Sequence, residues 1–148
     1  MIATNHALMG ALLGLSIGSP IALPIALMSH FVLDSIPHYS DRRVKLQSQR
    51  FFVQLTLEAI LCAILVLFLA LQRPEYWLLA AVCAFLAVSP DFMWIPRFVR
   101  AFTHKPAPKT NNFIIRFHKG IQWFERPIGI VVEIAWLLGA TTILANIV

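Results

Sequence analysis

Two long, predominantly apolar runs, residues 51–71 and 128–148, constrain this chain more than any motif in it. A helix needs about 20 residues at ~1.5 Å each to cross ~30 Å of hydrocarbon, and each run is long enough without help. Three shorter apolar runs, residues 2–18, 21–36 and 76–88, accompany them. Backbone N–H and C=O groups have no water to bond inside a bilayer, so such runs take the form of helices. The expected fold class is all-α: a polytopic transmembrane helical bundle of about five spans, forming one membrane domain over residues 1–148. Residues 1–36 are expected as a tight hairpin turning at Gly18-Ser19-Pro20, with a re-entrant pair as the rival topology. Residues 51–91 form a second hairpin, 92–126 an interfacial segment and 127–148 the last span.

Composition agrees, since 59% of residues are hydrophobic and only 13% charged, far less charge than a soluble domain of this length presents to water. The net charge of +5 invites a nucleic-acid reading, but its distribution answers that. With five spans, every one of the 12 Lys and Arg except Arg73 lies on the side of the N-terminus, the 37–50 loop and the 90–126 segment. The positive-inside rule therefore puts the N-terminus in the cytoplasm, and anionic headgroups account for the basic residues without nucleic acid. No Lys or Arg precedes the first run, so it is expected to be retained and not cleaved as a signal. Cys62 and Cys83 fall inside spans, where thiols act as small hydrophobes. Membrane lipids are the expected partners, and a bundle with two short spans makes a homodimer a reasonable expectation.

Between the fourth and fifth runs, residues 92–102 mix Phe92, Met93, Trp94, Ile95, Phe98, Val99 and Phe102 with Arg97 and Arg100, the pattern of an interfacial amphipathic helix. Pro96 argues against a long regular one. Residues 105–109 read as a turn-rich linker, after which Thr110, Asn111 or Asn112 can cap a second helix over about 113–125. Phe113, Phe117, Ile121 and Phe124 recur along it at helical spacing.

Against this apolar background the ionisable residues stand out. A charge at the centre of a bilayer costs at least ~2.5 kcal/mol even on insertion scales, so acids and histidines inside spans are functional candidates. His6, His30 with Asp34, Glu58, Asp91 and Glu133 all fall toward the same end of their runs and so share one layer. On the first helix His6 lies in register with Gly10, Gly14 and Gly18, a small-residue ridge that permits close helix approach. On the second, His30, Asp34 and His38 recur every four residues, and two side chains at that spacing can grip one ion. Imidazole and carboxylate together suit a divalent transition metal, with Zn first and Mn or Fe as alternatives. An open metal with nitrogen and oxygen ligands is what hydrolytic chemistry uses.

Asn5-His6 before the glycine-spaced helix, Ser29-His-Phe-Val-Leu-Asp-Ser-Ile-Pro-His38, and Ser89-Pro-Asp91 after an apolar run together resemble the bacterial membrane-bound metal-dependent hydrolases of the YdjM-like group. The resemblance covers chiefly residues 1–41 and the Ser-Pro-Asp segment. It implies an inner-membrane helical bundle with hydrolase activity, and His118-Lys-Gly stands where it expects a late histidine.

The expected roles are His6, His30, Asp34 and Asp91 as metal ligands and Glu58 or Glu133 as proton acceptor. His38, Asp41 and His118 are placed in a supporting role or as a late ligand, and Arg42, Arg43, Arg97 and Arg100 as groups that bind a substrate anion. Plainer readings stand beside these. His30 and Asp34 can bond each other across a helix pair, His6 can lie among headgroups, and Asp91 can cap the following helix. His38 and Asp41 can be solvated, Glu58 and Glu133 can pair with Arg50 or Arg126, and His118 can sit on the wet face of an interfacial helix. The function expected is hydrolysis of an amphiphilic, phosphate-bearing lipid at the cytoplasmic interface. The alternative is an ion or proton-coupled transporter using the same His/Asp/Glu layer.

Overall fold

The computed structural model describes residues 1–40, 46–106 and 112–148. The described chain is helical throughout, with seven α-helices: α1 (Ala3–Ile17), α2 (Ala22–Ser35), α3 (Gln49–Gln72), α4 (Trp77–Val88), α5 (Ile95–Phe102), α6 (Phe113–Ile121) and α7 (Ile130–Ile147). Short 3-10 turns at Ser89–Trp94 and Pro127–Gly129 lead into α5 and α7. The only extended pairing among the described residues is an isolated parallel bridge between His38 and Glu125.

Helix α1 sits at the centre and packs against α2, α3, α4 and α7. Its glycines explain how. A Cβ on Gly10 would strike the backbone of Cys83 and Ala84, and one on Gly14 the backbone of Ala80, so the ridge read from sequence seats α1 directly on α4. Gly18, at φ 61°, ends α1 in the left-handed region with its N–H on the Gly14 carbonyl, and α2 then turns back. Ala7, Leu8, Ala11 and Leu15 of α1 meet Leu65 and Leu69 of α3, Ala80 and Ala84 of α4, and Ala140 and Leu144 of α7 in the core. The outer faces carry Ile60, Ile64 and Leu71 on α3 and Val131, Ile134 and Leu138 on α7, all well exposed, an apolar surface far beyond what a soluble monomer shows.

Three helical stretches are long and apolar enough to cross a membrane: Gln49–Gln72, Trp77–Phe102 and Pro127–Ile147. Helices α1 and α2 are shorter apolar helices. The second long stretch differs from expectation. The fourth run was read as ending at Asp91 with a separate interfacial helix beyond, whereas α4, the 3-10 turn and α5 form one rod of 26 residues. Pro90 and Pro96 each fall in the first turn of a new helical piece, where the missing N–H is not needed, so they tighten the rod without ending it. Asn112 caps α6, its side chain accepting from the Ile114 N–H at 2.9 Å. Thr110 and Asn111 lie outside the described residues. Helix α6 stops at Ile121, short of the expected 125, because the chain there leaves the helix to pair with His38. His38 N–H donates to the Phe124 carbonyl, and Arg126 N–H donates to His38 O at 3.2 Å.

Candidate metal centre

Each polar group at the α1 N-terminal end is delivered by a different local rule. Helix α2 presents His30 and Asp34 one turn apart on its inward face, and it ends where Ile36, in extended conformation before Pro37, cannot continue it. Asp91 comes from the 3-10 turn after α4. Helix α6 lies across α2 and contributes His118, with Gln122 one turn further on.

One ligand atom from each of His30, Asp34, Asp91 and His118 falls within 4.8 Å of all the others, so these four could hold a metal ion. His118 Nε2 is 2.7 Å from Asp34 Oδ2 and 3.2 Å from His30 Nε2. His30 Nε2 lies 3.4 Å from Asp34 Oδ2 and 3.7 Å from Asp91 Oδ1. His30 Nδ1 is 2.7 Å from the Ala87 carbonyl. A carbonyl oxygen only accepts, so Nδ1 carries the ring proton and Nε2 points a lone pair into the cluster. His118 Nδ1 meets Met93 Sδ at 3.4 Å, which again turns Nε2 inward. The Nε2 atoms of His30 and His118 and the carboxylates of Asp34 and Asp91 thus meet around one point, His118 within hydrogen-bonding distance of Asp34, and His30, Asp34 and His118 are all fully buried. A cation shared by these groups would offset the cost of burying two carboxylates side by side. Asp91, about a third exposed, borders a cleft of about 500 Å³ and is the side of the cluster open to a small molecule.

His6 adjoins this set. Its Nε2–H donates to Asp34 Oδ1 at 3.1 Å, and its ring stacks on His30 with centroids 4.1 Å apart. Gln122 donates to Asp34 Oδ2 at 2.9 Å, and the Met1 amino group lies 2.6 Å from Oδ1. Asp34 is the hub on which both sides of the cluster turn.

Glu58 and Glu133 stand around the start of α1, where no side chain of the preceding residue caps the helix. Ile2 N–H donates to both Glu133 oxygens, at 3.1 and 3.2 Å. Asn5 Nδ2 adds a bond of 2.7 Å, and Tyr39 N–H one of 3.3 Å. Ala3 N–H donates to Glu58 Oε2, while Gln54 donates to Oε1, each at 3.0 Å. Carboxylates from α3 and α7 thus satisfy the first N–H groups of α1 and complement its positive end.

His38 is buried, with Nδ1 bonded to the Ile36 carbonyl at 2.9 Å and Nε2 3.7 Å from Glu125 Oε1. That imidazole holds the Glu125 carboxyl below its ordinary range, against the opposing effect of partial burial. Arg97 lines a separate cleft of about 640 Å³ with Trp94 and Lys119, and Arg100 bonds the Pro106 carbonyl. Neither touches the four-residue cluster. Asp41, Arg42 and Arg43 lie outside the described residues.

The surface reading of His118 is corrected. Helix α6 leaves Phe113 79% exposed and buries His118 completely along with Ile115, while Phe117 and His118 both meet Phe31 of α2. Read from sequence, Gln122 has no place in the site and Asn5 no role beyond its motif. A signal existed for each, since Gln122 follows His118 by one turn and Asn5 precedes His6. Comparison with protein-family models, curated proteins and solved structures gives no match. Fold and site together define the class: a helical membrane protein with a buried His/Asp cluster fit to hold a metal ion.

Proposed function

We propose that this chain is a membrane-embedded metal-dependent hydrolase acting on an amphiphilic, phosphate-bearing lipid. The reading includes five membrane helices, with α1 and α2 as a short central hairpin, and a cytoplasmic N-terminus in a bacterial inner membrane, like the YdjM-like group it resembles. A homodimer remains part of it. The observation that carries the proposal is the inward-facing Nε2 of His30 beside Asp34, Asp91 and His118, three of the four fully buried and Asp91 bordering a cleft.

His30, Asp34, Asp91 and His118 would hold a divalent ion, which when bound would supply Lewis acidity for hydrolysis. The chain's own residues do the rest. Asp34 is oriented by His6 and Gln122, a kind of support whose loss typically costs 10- to 100-fold in affinity or activity. Asp91 faces the cleft, where an incoming headgroup is positioned. Glu58 lines the same cleft and, of the two glutamates, is the better placed to accept a proton, since Glu133 is saturated by backbone donors.

Metal analysis of the purified full chain tests the reading. About one transition-metal ion per chain is expected, and it should be lost in His30→Ala, Asp34→Ala and His118→Ala. Wild-type protein without bound metal, or variants that keep it, would refute the proposal.

A further inference from the structure

Two cavities meet at Glu58. One is the polar cleft of about 500 Å³ that reaches Asp91, His38, Gln122 and Glu125. The other, about 700 Å³, runs between α3 and α4 over the flank of α1, and apart from Glu58 and Cys62 its walls are wholly apolar. Ala3, Leu55, Glu58, Val88 and Phe92 line both, so the two lie end to end, the polar cleft adjoining the apolar groove.

The apolar part exists because α3 stands off from the bundle. Only Leu65 and Leu69 of its 24 residues are buried, and its side toward α4 carries Ala59, Cys62, Ala63 and Ala70, too small to close the gap. From Leu55 to Ala70 the groove follows the helix for about 22 Å at ~1.5 Å per residue, comparable to an extended lipid tail. A partner helix of that length, ~10 Å across, would need roughly 1,700 Å³, more than twice the space present. One hydrocarbon chain fits and a helix does not.

We propose that the groove between α3 and α4 holds one acyl chain of a membrane lipid whose headgroup end lies in the cleft against Asp91. The lipid enters sideways from the bilayer between the two helices. This rests on the hydrolase reading only for calling that lipid a substrate, because the binding itself is argued from the shape and polarity of the two adjoining cavities.

The test uses the full chain in phosphatidylcholine nanodiscs doped with a phosphatidylglycerol analogue that carries a diazirine near the end of one acyl chain. Photolysis and peptide mapping should place label on Ala59, Ala63, Val66 and Phe85. Ala63→Trp, at an exposed alanine inside the groove, should cut that label roughly tenfold, equivalent to about 1.4 kcal/mol of lost occupancy. Ile64→Trp, on the outer face of α3 at 54% exposure, should leave it unchanged. Ala59→Trp serves as an independent block should Ala63→Trp not elute as the wild type does. Label spread evenly over the outer faces, label indifferent to both blocks, or cross-links joining two copies through the groove would each overturn the assignment. Groove labelling in a protein that hydrolyses no lipid would refute the hydrolase reading and leave the groove standing. Lipid hydrolysis untouched by both blocks would refute the groove lipid as the substrate and leave the hydrolase.

Discussion

Asp34 shows how much one side chain can be asked to do. It accepts from His6 and Gln122, contacts His118 and lies beside the Met1 amine, so both its oxygens are committed before any ligand arrives. Asp34→Asn keeps the shape but puts two N–H donors among groups that also donate, and should abolish metal retention in elemental analysis of purified protein. Gln122→Leu removes one support and leaves every metal-binding atom in place. Metal affinity measured by competition with a chelator should fall by ~10- to 100-fold, the range typical of lost outer support. Full retention would show that Gln122 does not orient Asp34. Glu133→Gln replaces an oxygen with a donor where Ile2, Asn5 and Tyr39 all donate. Thermal unfolding in detergent should show a loss of about 1–3 kcal/mol, the cost of an unpaired buried polar group.

At the scale of elements, the glycines of α1 set the bundle. Gly14→Leu forces a side chain into the Ala80 backbone and should prevent monodisperse folding, whereas Gly139→Leu on α7, with nothing within 4 Å of its added carbon, should be tolerated. Size-exclusion profiles of the two variants decide this, and equal behaviour would mean that α1 and α4 do not pack as described. Gly129 plays the same part for the loop, since a Cβ there would meet the backbone of His38 and Tyr39. Helix α6 carries the clearest lesson about legibility. Its two faces were readable from Phe113, Phe117 and His118, but periodicity says only that a helix has two faces. In water the apolar one turns inward; here it turns out and His118 turns in.

Taken whole, the molecule keeps its buried polar residues at one end. Thr4, Asn5, His6, His30, Asp34, His38, His118 and Glu133 are all buried there, while the opposite end carries Arg73 between α3 and α4. If the basic loops face the cytoplasm, Ser40→Cys and Arg73→Cys, introduced with Cys62 and Cys83 replaced by Ala, should label from opposite sides with a membrane-impermeant maleimide. Labelling of both from one side would exclude the five-helix arrangement.

Helical class, helices long and apolar enough to cross a membrane, and the placing of His6, His30, Asp34, Glu58, Asp91 and Glu133 toward the same end of their runs were legible in the sequence alone. Those properties follow from what each residue costs in hydrocarbon and from its distance along a helix, both of which are local. Which of these groups meet was decided by the tertiary structure. Glu58 and Glu133 share the layer yet turn to the first N–H groups of α1, while His118, from a helix read as interfacial, closes the cluster with His30, Asp34 and Asp91. Helix crossing and the placing of α6 against α2 arise from contacts between distant segments, and no residue's own chemistry encodes its partner.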